Sequence, residues 1–181
     1  MAATSFDPAH AVRFDLPQGS VHAGDGERVL LVPTGALDDI VLSAPPDAAE
    51  ALGRALGSAI GRRAAARMGD PQRASIEAFV TQLAGESAIA GVGALSIERW
   101  GRALVVVVES SPLSGTLLAP LVAAAMESAS GRTVSCTMLS RDKRAARILV
   151  GGDRGVGRVR DWIAAGVPWG EAIARMQGSG S

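Results

Sequence analysis

The sequence predicts an α+β fold: a mainly antiparallel sheet of about four strands packed with four helices, in the order α-α-β-β-α-β-β-α after short N-terminal strands. Three observations carry this. Ala94 to Trp100 and Ala103 to Val108 are strand-like runs separated only by the turn Trp100-Gly101-Arg102. Thr133 to Leu139 and Ala145 to Val150 form a second such pair, joined by the charged turn Ser140 to Arg144. Between and around the pairs, apolar residues recur at helical spacing. Short turns between strands of one pair require antiparallel neighbours.

In chain order, Met1 to Asp7 has no apolar periodicity and is expected to be loose. Val12, Phe14 and Leu16 alternate with Arg13 and Asp15, which predicts a short half-buried strand ended by Pro17. Val29 to Val32 is a second short apolar run, and Pro33-Thr34 starts a helical turn through Ile40. A long helix follows over Ala48 to Met68, with Asp47 as N-cap and Glu50 completing a capping box. Its Leu52, Leu56 and Ile60 form a stripe, and Arg54, Arg62, Arg63 and Arg67 supply polar surface.

Beside that stripe stand Gly53, Gly57 and Gly61, each costing about 1 kcal/mol relative to alanine in a helix interior. Three such costs on one line point to close approach by another backbone or a ligand. Packing within the chain, a dimer contact and the wall of a ligand cavity all satisfy the pattern. As a partner interface it comprises Gly53, Leu56, Gly57, Ile60 and Gly61.

Asp70-Pro71 is expected to open the next helix, whose Ile76, Phe79, Val80 and Leu83 make one apolar face. It ends near Gly85 or Gly91. Ala103 to Val108, apolar at every position and β-branched, reads as a strand buried on both faces. The helix over Leu117 to Ala129 contains Pro120, so it starts only a turn earlier or is kinked there; Gly131 stops it. After the second strand pair, Val156, Val159 and Ile163 mark a helix ending near Gly166. Pro168 then permits a short extra helix with Trp169, Ile173 and Met176. The expected organisation is an N-terminal segment over 1–46, a domain over 47–176 and a flexible tail over 177–181.

Composition restricts function. Eighteen basic and eighteen acidic residues cancel, so no global field holds nucleic acid. The basic run Arg141 to Arg160 is interspersed with Asp142 and Asp153 and has no aromatic residues to stack on bases; it reads as a solvated face that could meet an acidic partner. No window approaches the ~20 apolar residues of a membrane span, and the N-terminus lacks a secretory pattern, so a cytoplasmic protein is expected. One cysteine, Cys136, excludes a disulfide framework and multi-cysteine metal sites. Gly151 to Gly157 lacks the third glycine of a dinucleotide fingerprint, because position 160 is Arg160, and it lacks the Lys-Ser/Thr of a P-loop. His10 and His22 have no companion at catalytic spacing, and no serine sits in a nucleophile elbow. No catalytic residue, metal or cofactor is assigned. Trp100, Trp162 and Trp169 read as core or interface residues, an exposed one being a candidate anchor.

The helix LGRALGSAIGRR, the hairpin GVGALSIERWGRALVVVVESS and the ending ARILVGGDRGVGRVRDWIAAGVPWGEAIARM resemble the superfamily that joins 4-vinyl-reductase-type (hydrocarbon-binding) domains to the TRAPP vesicle-tethering subunits, over roughly Asp47 to Met176. The resemblance implies an α+β fold, dimerisation through helices, and binding of apolar small molecules or protein partners. Metal-binding members carry cysteines where this chain has Ser111, Ser114, Leu139 and Ala146, so no metal is carried over. Cys136 is off that pattern and lies in a predicted strand; the acylated cysteine of one TRAPP branch is not carried over either. The expectation is a non-enzymatic, homodimeric, TRAPP-like module holding a protein partner. The alternative is a sensor or carrier of an apolar small molecule or lipid, bound between the sheet and the third long helix at Leu118, Val122 and Met126.

Overall fold

The computed structural model describes residues 5–71 and 73–178, apart from the side chain of His10. After a 3-10 turn at Pro8–His10, the chain forms β1 (Val12–Asp15), β2 (Ser20–Ala23), β3 (Arg28–Val29), α1 (Thr34–Ser43), α2 (Pro46–Met68) and α3 (Ile76–Ile89). It continues with β4 (Ala94–Trp100), β5 (Ala103–Glu109), α4 (Gly115–Ser130), β6 (Ser135–Arg141), β7 (Ala145–Gly151), α5 (Asp153–Ala164) and α6 (Trp169–Gly178). The fold is α+β, with a four-stranded antiparallel sheet in the order β4-β5-β7-β6 and a separate antiparallel sheet β1-β2-β3.

The two hairpins predicted from sequence sit side by side, so β5 and β7 are central. Val106 lies between Ile97 on one side and Ile148 on the other. Val105, Val106 and Val108 are fully buried, because each face of the sheet has its own cover. On one face Val106, Val108 and Ile148 meet Leu117, Leu121 and Val122 of α4. On the other, Val105, Val107 and Leu149 meet Val156 and Val159 of α5 and Ile173 of α6. A strand apolar from Ala103 to Val108, with Glu109 exposed at its end, is what two-sided burial demands.

Behind α4 lies α2. Pro120 falls inside α4, which nevertheless runs from Gly115 to Ser130, although a proline there has no N–H to bond the carbonyl four residues back. Gly131 ends α4 in the left-handed region at φ 68°, donating its N–H to Glu127 O.

Several boundaries differ from the sequence reading. Asp47 is not the N-cap of α2: the helix starts at Pro46, preceded by Pro45, with Asp47 in its first turn favouring the positive helix end. The next helix opens at Ser75, whose Oγ accepts from Ala78 N–H, and not at Asp70-Pro71. Its buried face is rotated from the expected one: Phe79, Gln82, Leu83, Glu86 and Ser87 are buried, whereas Ile76 is exposed. A strand over Ser20–Ala23, unread in the sequence, pairs with β1. Gln177, expected to lie in the tail, is within α6 and its amide donates to the Trp100 carbonyl; residues 179–181 fall outside the described residues. Finally, the alternating set around β1 is not buried as a whole: Val12 is half-buried, whereas Phe14 in the strand and Leu16 beyond it are exposed.

Candidate functional site

The glycine line on α2 is filled from within the chain. A Cβ on Gly53 would stand 2.7 Å from Leu117 O, and on Gly57 and Gly61 it would overlap the backbone at Leu121 and Ala125. The helix therefore lies against α4 backbone to backbone, with Ile60 buried beside the glycines and Leu56 half-buried against the core. As a partner interface, Gly53, Leu56, Gly57, Ile60 and Gly61 are corrected: α4 already occupies that face. Leu118, Val122 and Met126, the expected apolar ligand site, are buried in the core between α4 and the sheet.

The polar group that sequence reasoning passed over is on the other side of α2. Arg63 and Arg67 are one helical turn apart, as are Gln82 and Glu86 on α3, so two polar pairs face each other where the helices cross. Glu86 is only 2 % exposed; its Oε2 accepts from Arg63 Nε at 3.0 Å and its Oε1 from Arg67 Nε at 2.6 Å. A carboxylate this deep requires such partners, because an unpaired buried charge costs several kcal/mol. Arg63 also reaches Glu27 at 3.7 Å, which ties the turn before β3 to the helices. Gln82 is buried beside the carboxylate along α3, and Ser87 Oγ is buried with no hydrogen-bond partner among the described residues.

Phe6 closes this cluster. Its ring lies 4.7 Å from the Arg67 guanidinium carbon, and a Cβ on Gly85 would overlap the ring itself. Gly85 thus makes a notch in α3, next to Glu86, that accepts an aromatic ring. Met1 to Asp7 is expected from the sequence to be loose, yet Phe6 within it is packed against Arg67 and Gly85. The same N-terminal segment curves around an open concavity of about 320 Å³ lined by Ala9, Val12, Arg13, Ala23, Gly24 and Gly26, at the lower end of the ~300–1,000 Å³ range of ligand pockets. In the sequence, the signal for the cluster was the pairing of two i, i+4 polar pairs on adjacent helices; Phe6 left none.

Other polar candidates resolve into structural roles. His22 donates from Nδ1 to Gly26 O at 3.1 Å, leaving Nε2 to accept from Ser20 Oγ at 3.0 Å, and so braces the β2–β3 turn. Burial, with Glu127 nearby, pushes the Cys136 thiol up to about 12, which keeps it protonated and unreactive. Trp100 is partly exposed and stacks edge-on with Trp169 at 4.9 Å. Among the described residues there is no group of three or more His, Cys, Asp or Glu placed to hold a metal, and no helix long and apolar enough to cross a membrane.

No protein-family model matches the chain, and no curated protein matches it. Among solved structures, it is similar to the phenol-responsive sensory domain of the transcription activator PoxR, determined with phenol. The two chains share one fold. The TM-score is 0.61 at 16 % identity, over 93 % of this chain and 92 % of that one, so the likeness includes the N-terminal segment as well as the sheet and helices.

Proposed function

We propose that this chain is a non-enzymatic regulatory module that senses a small aromatic molecule, taken up where the Phe6 ring now lies. The observation that carries this is the Phe6 ring itself, seated in the Gly85 notch against Arg67 and beside the buried Glu86 carboxylate. The structural likeness to a phenol-responsive domain, and the resemblance to hydrocarbon-binding domains, support the same class of ligand.

Each contact has a physical role. The guanidinium attracts the face of an aromatic ring, by about 0.5–2 kcal/mol depending on desolvation. The bare backbone at Gly85 admits the ring edge. The Glu86 oxygens each accept from one arginine, which leaves lone pairs for a ligand hydroxyl to donate to. A ligand that enters must displace Phe6 and so frees the N-terminal segment. That differential interaction is what converts binding into a conformational signal.

The tethering reading, in which a TRAPP-like module holds a protein partner, has less support because α4 fills the helix face it relied on. A cytoplasmic setting belongs to the proposal too.

The test is calorimetry with phenol and with cyclohexanol, which has the hydroxyl but no π face. Phenol is expected to bind, and cyclohexanol to bind at least about tenfold more weakly. Phe6→Ala should tighten phenol binding by removing the internal competitor, and Gly85→Leu should abolish it. Equal binding of the two alcohols, or unchanged phenol binding in Gly85→Leu, would refute the reading.

A further inference from the structure

The concavity of about 320 Å³ in the N-terminal segment has walls of one chemical kind, with a single exception. The side chains of Ala9, Val12 and Ala23 are aliphatic, and Gly24 and Gly26 have none. A Cβ on Gly26 would meet nothing within 4 Å, so the chain leaves the space beside it open. Arg13 is the exception, the one ionisable residue of the lining. Among the described residues its side chain has no hydrogen-bond or ion-pair partner. The groups around it are committed elsewhere. Asp7, Asp15 and Asp25 each accept a backbone N–H of their own turn, those of Ala9, Gln18 and Glu27, and Glu27 itself reaches Arg63. His22, opposite Arg13 across β1 and β2, has both ring nitrogens bonded.

We infer that this concavity is a second binding site, which takes a small neutral molecule with an apolar body and one hydrogen-bond acceptor, such as a ketone or aldehyde. Size, charge and hydrogen bonding set that class. The volume suits one ring with a short substituent, not a peptide or a nucleotide. Aliphatic walls and bare glycine backbone favour an apolar body. A guanidinium has five N–H donors and accepts nothing, so what Arg13 selects is an acceptor. Ions of both signs are disfavoured. Ser5 to Glu27 carries four carboxylates and one arginine, which together repel an anion, while a cation would have to sit against Arg13. The class is the reverse of that proposed for the Phe6 notch, because a carbonyl compound has no proton to give Glu86. Its seat also joins two parts of the chain. Ala9 belongs to the 3-10 turn before β1, and Gly24 and Gly26 to the turn between β2 and β3, so an occupant braces the small sheet.

Calorimetry of the full chain with acetophenone, benzoate and ethylbenzene tests this, since the three share a benzene ring and differ in acceptor and charge. Acetophenone is expected to bind with a Kd below about 1 mM, and the other two at least about tenfold more weakly. Arg13→Leu should weaken acetophenone binding at least about tenfold, and Ala9→Phe, whose ring fills the concavity, should abolish it. Both positions are exposed, so both variants should keep the wild-type circular dichroism. Bound acetophenone should slow hydrogen exchange of the β1 to β3 amides in the wild-type chain and not in Arg13→Leu. Gly85→Leu, which closes the Phe6 notch, should leave acetophenone binding unchanged, so a failure of either site is read apart from the other. No binding of acetophenone, equal binding of benzoate or ethylbenzene, unchanged affinity in both Arg13→Leu and Ala9→Phe, or loss of binding in folded Gly85→Leu would overturn the inference.

Discussion

Glu86 shows how one buried charge can organise a helix pair. With Arg63 and Arg67 both directed at it, Glu86→Ala removes the shared acceptor and leaves two guanidinium groups packed near the helix crossing. Chemical denaturation should show a loss of about 3 kcal/mol, with a smaller loss for Glu86→Gln, which keeps the shape and part of the hydrogen bonding. Cys136 makes a contrasting case. Its thiol, held at about 12 by burial and by Glu127, should react with a disulfide reagent far more slowly in the native chain than after unfolding. The sign follows: the unfolded thiol ionises from its ordinary 9.0, so its contribution to stability is full below that value and falls as pH rises towards about 12.

At the level of elements, the pairing of α2 with α4 rests on absent side chains. Gly57→Ala gains helix propensity of about 1 kcal/mol, yet its Cβ would enter the backbone at Leu121, which no rotamer change can relieve. The net outcome should be a destabilisation of at least about 2 kcal/mol, measured by thermal or urea unfolding. Gly157→Ala in α5, where nothing lies within reach of a Cβ, should instead be neutral or stabilising. The β6–β7 hairpin depends on a different device. Asp142 Oδ1 accepts from the N–H groups of Arg144 and Ala145, and these bonds, with Arg147 and Arg144 nearby, hold its carboxyl below the ordinary 3.8. Its contribution is therefore present above about pH 4 and lost as pH falls through the depressed value. Asp142→Ala should lower the melting temperature near neutral pH, and the gap to the wild-type chain should close in acid.

For the whole molecule, stability should be uneven. The central strands β5 and β7 are covered on both faces by α4 on one side and α5 with α6 on the other, whereas β1, β2 and β3 form a small sheet of their own. Hydrogen exchange of amides at Val105 to Val108 should be slowest, and that of β1 to β3 at least about 100-fold faster. Among the contacts that tie the N-terminal segment to the helices are Phe6 on Arg67 and Glu27 on Arg63, the contacts that the proposed ligand uptake would have to loosen.

The sequence alone determined the α+β class, the two hairpins, the position of the central strand and the need for a close approach along Gly53, Gly57 and Gly61. Each of these is written in local spacing: period two, period 3.6, turn residues, or a repeated missing Cβ. It could not say which backbone meets those glycines, because a helix stripe names its own face and not its partner. Only the tertiary structure decided that α4 fills the line, that Leu118, Val122 and Met126 are closed into the core, and that Glu86 gathers two arginines. It alone also seated Phe6, a lone aromatic residue in an aperiodic segment, in a notch made 79 positions further along the chain by Gly85. Such meetings are long-range: the polar pairs on α2 and α3 mark their own helix faces but not each other, and nothing around Phe6 records its seat.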